Sequence, residues 1–366
     1  MSGLGRDDAT MAGARDGAPA VALRPLDLAR LSDEDVRALV PLARALRQES
    51  RPGDAPVTEK GLRASLAALA ALRELRVEAV VAWAGVDAVG RALAFMPVVD
   101  NLHLLQFDPQ VLPAWRRRGV GRALLRWALQ VARRHDRTLI VGGTGARVPA
   151  GDAFATAFGA RASMQASVNE LDLGEHGERL FGSGGLVAAW IDDGPRRAPG
   201  YELAWIPRPL PEELLAPFAA LKSAMNDAPR GDLQVEDRVY SEETLREIDA
   251  YDAAAGLEAW TLAARHVASG AFAGFTEVAW SPENPAIAFQ GDTAVVPAHR
   301  GHALGKWLKA TVLERLRRER PQVRVVRTGN ADTNEAMLGI NHALGFRRAE
   351  GGTVYQVEVA EAARHV

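Results

Sequence analysis

The chain has 366 residues, a formal net charge of −2 and no cysteine. That length allows two or three domains, each large enough for its own core. A charge near zero gives no push toward nucleic acid or an anionic membrane, and the lack of thiols excludes disulfides, thiolate metal sites and a cysteine nucleophile.

In chain order, residues 1–19 mix Gly, Ala, Asp and Arg without periodicity and read as a disordered tail. Val21–Leu26 reads as a strand. Ser32-Asp-Glu-Asp35 then opens a helix to about Arg47, with Pro41 expected to kink or split it. A second helix covers Thr58–Leu75. The most apolar stretch, Val77–Val99, is broken by Asp87 and Arg91 and reads as two strands, Val77–Ala84 and Arg91–Val98, rather than a membrane span. Leu104–Leu112 is the next strand, followed by a helix with Val120, Leu124, Ala128 and Val131 on one face. Arg137–Val141, a short helix at Asp152–Phe158, and Ala166–Leu173, expected to close the first sheet, complete this half.

Gly174–Pro211 is the best linker candidate, with Leu186–Ile191 and Tyr201–Ile206 reading as strands inside it. The second half repeats the order. Helices are expected at Pro211–Met225 and Ser241–Ala255, and strands at Leu257–Arg265, Ala271–Trp280 and Ala286–Val296. A helix with Leu304, Leu308, Val312 and Leu316 on one face follows. Val323–Thr328 is a strand, Asn334–Leu344 a helix ended by Gly345, and Tyr355–Val359 a strand. The expected division is a tail at 1–19, one domain at 20–175, a linker or shared strands at 176–210, and a second domain at 211–366.

The repeat is explicit in one stretch. Gln106–Leu124 lies over Gln290–Leu308 without a gap, 184 residues apart (290 minus 106), with eight of nineteen positions identical. Each copy runs from a strand through basic and glycine residues into a helix. These are Arg116, Arg117, Arg118, Gly119, Val120, Gly121 and Arg122 in the first copy. In the second they are Arg300, Gly301, His302, Ala303, Leu304, Gly305 and Lys306. A helix start offers unpaired N–H groups and the positive end of the macrodipole, so a phosphate or pyrophosphate is the natural guest. A P-loop needs G-x-x-x-x-G-K-[ST], which is absent, and a Rossmann fingerprint needs a third glycine, which does not follow Gly121.

The remaining pattern, Arg/Gln-x-x-Gly-x-Gly/Ala after a strand with a Val-x-Pro approach, resembles the acyl-CoA loop of the GNAT N-acetyltransferase superfamily. Ala303 departs from it, standing where glycine is usual. Thr328–Phe346 also resembles the family, with Asn334 at the pantetheine-bonding asparagine and Asn341 where a tyrosine general acid is usual. The matching first-half positions are Val148 and Ala155.

The resemblance implies an α/β (α+β) fold: two tandem GNAT domains, each a mixed, mostly antiparallel sheet flanked by helices, similar to mycothiol synthase-like acetyltransferases. It implies acetyl-CoA as co-substrate, no metal, and a small-molecule or peptide amine as acceptor. Val111, Leu112, Val295 and Val296, together with both loops and Asn334, would contact the donor. Catalysis is expected in the second half. Asp292, which matches Asp108 in the first, is the leading candidate base, Glu277 the next, and Asn341 stands at the acid position. Tyr355 reads as pocket wall, and His299 and His302 as phosphate or solvent contacts. Residues 225–243 carry six acids against two arginines and would favour a cationic amine. A cytoplasmic monomer or homodimer, without nucleic-acid or membrane partners, completes the expectation. The missing tyrosines favour a rival, a decayed acyl-CoA sensor or scaffold. A weaker rival, another nucleotide binder, rests on Gly142-Gly-Thr-Gly145.

Overall fold

The computed structural model describes residues 20–366, so the expected tail lies outside the described residues. The first half runs β1 (Val21–Pro25), α1 (Asp33–Ser50), α2 (Glu59–Ala70), β2 (Leu75–Ala84), β3 (Asp87–Pro97), β4 (Leu104–Val111), α3 (Val120–Arg134), β5 (Leu139–Gly145), α4 (Ala150–Ala157) and β6 (Arg161–Asp172). Two helices follow, α5 (Gly177–Phe181) and α6 (Leu186–Arg197). The second half runs β7 (Tyr201–Ile206), α7 (Glu212–Lys222), α8 (Glu242–Ala254), β8 (Glu258–His266), β9 (Phe272–Trp280), β10 (Ile287–Val295), α9 (Leu304–Glu319), β11 (Val325–Ala331), α10 (Glu335–Leu344), β12 (Arg347–Glu358) and α11 (Val359–Ala362).

Local chemistry sets the helix starts. Ser32 accepts from the Asp35 amide at 3.0 Å and the Asp35 carboxylate returns the bond to the Ser32 amide at 3.0 Å, so two orphan donors are satisfied at the start of α1. Pro41 does not split α1, which continues for 18 residues. Leu186–Ile191, expected as a strand, is the first part of α6. The reason is tertiary: a Cβ on Gly194 would sit 2.4 Å from the Trp307 indole, so α6 is held flush against α9.

The strands form one sheet of twelve, in the order β1-β2-β3-β4-β5-β12-β6-β11-β10-β9-β8-β7. The last strand of each half has crossed into the other. β6 pairs with β11 from Ala166↔Ala331 to Asp172↔Val325, and β12 pairs with β5 from Gly352↔Gly145 to Glu358↔Leu139. β6 and β12 then pair with each other in the middle. Ala166–Leu173 therefore closes the second half's sheet, not its own. Apolar alternation marks a strand but does not name its neighbour.

The helices cover both faces. In the first half α3 packs on one face, around Leu124, Leu125, Ala128 and Met96, and α1 and α2 on the other, around Val36, Leu39, Leu66 and Leu93. In the second half α9 and α6 lie on one face and α7 and α8 on the other. Each half also sends a loop across the join. Asp54, after α1, is nearly buried and pairs with Arg327 on β11 at 2.9 and 3.0 Å, while Glu170 on β6 holds the same guanidinium at 2.7 Å. From the second half, the Asp232 amide donates to Ser163 O at 2.8 Å, and Gln356 brackets the loop through Gln234 N and Asp232 O, each at 2.9 Å.

The exchange makes each half incomplete without the other. Residues 20–175 produced alone should fail to give a monomer that unfolds cooperatively, and mixing with 176–366 should restore one, as read by size-exclusion chromatography and thermal circular dichroism. A stable, monomeric 20–175 fragment would refute this dependence.

Candidate active site

Both halves contain the same opening in the sheet. β4 and β5 pair in parallel only from Leu104–Gln106 to Leu139–Val141, and β10 and β11 only from Ile287–Phe289 to Val325–Arg327; beyond those pairs the strands part. The two halves differ at the parting. β10 carries a bulge between Gln290 and Thr293, whereas β4 has an unbroken register against β3 and carries Pro109. The Leu112 amide bonds Val89 O at 3.0 Å and the Val296 amide bonds Ala273 O at 2.9 Å. Alternation along an antiparallel ladder then turns the amides of Val111, Val295 and Thr293 into the cleft. Pro109, matching Thr293, has no N–H to offer there.

The loops after these strands share one backbone shape. Each begins with a short 3-10 turn, Pro113–Trp115 or Pro297–His299. Arg116 Nε donates to Val111 O and Arg300 Nε to Val295 O, both at 3.1 Å. Each guanidinium also takes a carboxylate: Glu49 holds Arg116 at 2.7 and 2.5 Å, and Asp227 holds Arg300 at 2.6 Å. These two arginines brace the loops in this structure, where the sequence suggested phosphate contact.

Left-handed residues occupy matching positions, Arg117 (φ 61°) and Gly119 (φ 85°) in one loop, Gly301 (φ 87°) and Ala303 (φ 56°) in the other. Glycine is used at opposite positions, so each loop holds one side-chain-bearing residue in a conformation that costs roughly 1–2 kcal/mol. The departure at Ala303 does not change the loop's shape. Gly121 and Gly305 have a different reason: a Cβ would lie 3.0 Å from the Phe154 ring on α4 or 3.2 Å from Ile340 on α10.

The donors on offer are unequal. Val120, Gly121 and Arg122 are the first three residues of α3, whose amides have no partner within the helix, and Arg118 lies over Trp115. In the second loop the Lys306 amide already bonds Ala303 O at 3.0 Å, and the Lys306 ammonium sits 5.3 Å from the Trp190 ring centre. His299 is hydrogen-bonded to the Tyr201 hydroxyl at 2.9 Å, with His302 packed on the same ring.

A cavity of about 2760 Å³ follows the β4–β5 opening and runs on past the central strands to Phe289, Gly329 and Asn330 of the second half. Its wall includes Gly119, Val120 and Gly121 with Phe154 on the α3 side, Arg91 and Asp108 on the α1–α2 side, and Tyr355 from the exchanged strand β12. Burial pushes the Asp108 carboxyl above its ordinary value, partly opposed by Arg91 and the Gln110 amide.

The matching face of the second half is filled by ions. Lys222 on α7, 3% exposed, lies 2.8 Å from Glu277 and 3.1 Å from Asp292. Burial alone would lower its pKa, but the two carboxylates outweigh that and hold it raised. Arg208 joins Asp249, Asp252 at 2.8 Å and Glu277 at 3.6 Å. The two candidate bases are thus both committed to one lysine.

Most of the acids of 225–243 are also engaged. Glu236 accepts from the Asn101 amide at 3.0 Å, Asp237 pairs with Arg230, and Asp227 holds Arg300. Asn334 caps α10, accepting from the Met337 amide at 3.3 Å. Asn341 is fully buried; its oxygen takes Lys309 Nζ at 2.8 Å and its amide donates to Asn330 at 2.9 Å. A carboxamide has no proton to release at neutral pH, so Asn341 seats Lys309 rather than acting as an acid. Lys309 went unnoticed in the sequence although its spacing marks it: it falls three before Val312 and four before Leu313, on the apolar stripe of α9.

No family model and no curated protein matches the chain. Solved structures do. One, a tandem GNAT protein from the clavulanic acid biosynthesis pathway without acetyl-CoA, is 31% identical over 93% of this chain and 98% of its own, with a TM-score of 0.75. A GCN5-related N-acetyltransferase from Sphaerobacter thermophilus is 15% identical over 93% and 96%, with a TM-score of 0.62. A glucosamine N-acetyltransferase region of a fungal multi-domain GH3 β-N-acetylglucosaminidase is 14% identical over 93% of this chain and 38% of its own, with a TM-score of 0.64. The latter two show the fold. The splayed sheet with its glycine loops is that of an acyltransferase. The chain belongs to the tandem GNAT N-acetyltransferases, whose fold implies acetyl-CoA use in general. Among the described residues, no helix is long and apolar enough to cross a membrane, and no three His, Asp or Glu side chains converge as metal ligands.

Lys309 yields a pH test. Desolvation lowers its pKa from 10.5 to about 7, so above pH 7 the unfolded chain binds a proton that the folded chain lacks. Stability should therefore rise from about pH 7 toward 10, by up to ~1.4 kcal/mol per unit. Urea titrations of Lys309→Met should lack that slope; an identical slope in the variant would refute the assignment.

Proposed function

We propose that this chain is an acetyl-CoA-dependent N-acetyltransferase in which donor and amine meet in the first half, across the β4–β5 opening. The observation that carries this reading is the single cavity joining the glycine loop on one face to Asp108 on the other. Val111 and Leu112 line the pantetheine arm, the amides of Val120, Gly121 and Arg122 receive the pyrophosphate, and Arg117 and Arg118 add positive charge. The second loop, with Val295, Val296, Arg300–Lys306 and Asn334, is a weaker donor site. The Lys306 amide is already bonded to Ala303 O there, and Asp292 and Glu277 would have to release a buried lysine before acting as bases.

The chemistry follows from the groups available. An alkyl ammonium of pKa about 10.4 must lose its proton, which costs roughly 4.6 kcal/mol at pH 7. Asp108, made more basic by burial, accepts that proton directly or through water. The amine then attacks the thioester carbonyl, the Val111 amide faces the oxygen on which charge develops, and the nitrogen's second proton passes to water as the C–S bond breaks. The sulfur leaves as a thiolate; because a free thiol titrates near 8.5, departure without an acid costs only about 2 kcal/mol at pH 7, in keeping with Ala155 at the tyrosine position.

Calorimetry separates the two halves. Gly121→Glu should abolish acetyl-CoA binding, since the carboxylate meets the pyrophosphate at the helix start, and Gly305→Glu should leave most of it. The reverse pattern would move the donor to the second half. Asp108→Asn should lower kcat about 100-fold with donor affinity unchanged, and should remove the acidic limb of the pH profile, which in the wild type falls as pH drops through the raised Asp108 pKa. Restoring the missing amide with Pro109→Ala should raise kcat on the order of tenfold, the low end of what one aligned donor contributes. Unchanged turnover in both variants would place the reaction elsewhere.

A further inference from the structure

The cavity wall on the α1–α2 face holds three arginines that form no close ion pair among the described residues. Arg47 lies in the last turn of α1, Arg51 at its C-cap, and Arg91 on β3. Arg47 reaches only Ala55 O, at 3.5 Å, and Arg91 Nε donates to the neutral Gln110 side chain at 2.8 Å. Among the described residues none of the three has a carboxylate within 4 Å. Of the acids nearby, Glu49 is held by Arg116, Asp54 and Glu170 share Arg327, and Asp108 faces Arg91 from beyond ion-pair distance. Burial lowers the pKa of Arg51 and Arg91; Arg327 and Arg47 lower Arg51 further against the pull of Asp54 and Glu350, and Arg47 lowers Arg91 against the pull of Asp108. For the half-buried Arg47 and Arg91 that crowding is relieved when an anion joins them, while Arg51 stands at the more exposed edge of the group.

The position relative to the base is informative. In the β3–β4 register Arg91 faces Gln110 and Leu93 faces Asp108, so Arg91 and Asp108 share the face covered by α1 and α2. They are diagonal neighbours on adjacent strands, about 7–8 Å apart. The pyrophosphate loop lies at the start of α3, whose helix packs on the opposite face of the sheet.

We propose that the acetyl acceptor is an amine carrying a carboxylate a few bonds from its nitrogen, with the carboxylate bound by Arg47, Arg51 and Arg91 and the amine presented to Asp108. This rests on the reading that acetyl transfer occurs in the first half. Guanidinium forks match a carboxylate in two parallel hydrogen bonds, so they fix orientation as well as charge. This assignment replaces the cationic acceptor suggested by the acids of 225–243, most of which are engaged elsewhere.

The test uses matched amines with acetyl-CoA and the full-length chain: ornithine against putrescine, tyrosine against tyramine, alanine against ethylamine. The carboxylated member of each pair should have a kcat/KM at least tenfold higher. Arg51→Gln and Arg91→Gln should each raise its KM about tenfold or more and shrink the preference, while acetyl-CoA affinity by calorimetry stays at the wild-type value and so reports an intact fold. Equal or better turnover of the decarboxylated amines overturns the proposal but leaves acetyl transfer standing. Loss of acetyl-CoA binding in folded arginine variants would assign these side chains to the donor and overturn it as well. If no amine of either set is acetylated, the acetyl-transfer reading fails and the proposal goes with it.

Discussion

The pairing of β6 with β12 at the centre of the sheet is the constraint on which the rest of the molecule depends. Each strand closes the other half's opening from the side, so β5 is backed by β12 and β11 by β6. Buried strand edges must be paired, and neither half supplies its own last partner. The consequence reaches the site. Tyr355 in the cavity wall belongs to the second half by sequence and to the first by position. Asp54 and Arg327 clamp the same join from the loop after α1, and a buried bidentate pair of this kind is strongly disfavoured when broken, by about 3–5 kcal/mol.

Within that frame the two halves reach one loop shape by different residues. Both place left-handed residues at the same two positions and both tie an arginine back to the preceding strand. They part β4 from β5 and β10 from β11 differently, the first half with a proline that cannot donate and the second with a bulge. The sharper divergence is on the α1–α2 and α7–α8 faces. In the second half a buried lysine and Arg208 neutralise the carboxylates that face the opening. In the first half the charges left over are positive, beside one carboxylate whose pKa is raised by burial. The first half thus retains room and unpaired charge where the second is self-satisfied.

Much of the plan was legible in the amino-acid order. Ser32, Thr58 and Ser241 announce helices through their own hydrogen bonds, and the apolar spacing of α3 and α9 marks their inner faces. The repeated strand–loop–helix stretch carries the family and the glycine loops, because a helix start with glycine and arginine is a local device that needs no distant partner. Errors came where a local pattern had a distant determinant. Leu186–Ile191 is helical because Gly194 lets α6 meet Trp307, and Asp292 and Glu277 look like free carboxylates until Lys222 is found between them.

What the sequence alone determined, then, is most of the elements, the tandem repeat and the loop chemistry, all governed by interactions within about one turn or one strand. Only the tertiary structure decided which half each final strand joins, which carboxylates are neutralised, and which arginines are left without a partner. Those outcomes depend on side chains far apart in the chain, 55 positions between Lys222 and Glu277 and 273 between Asp54 and Arg327, and no local periodicity encodes them.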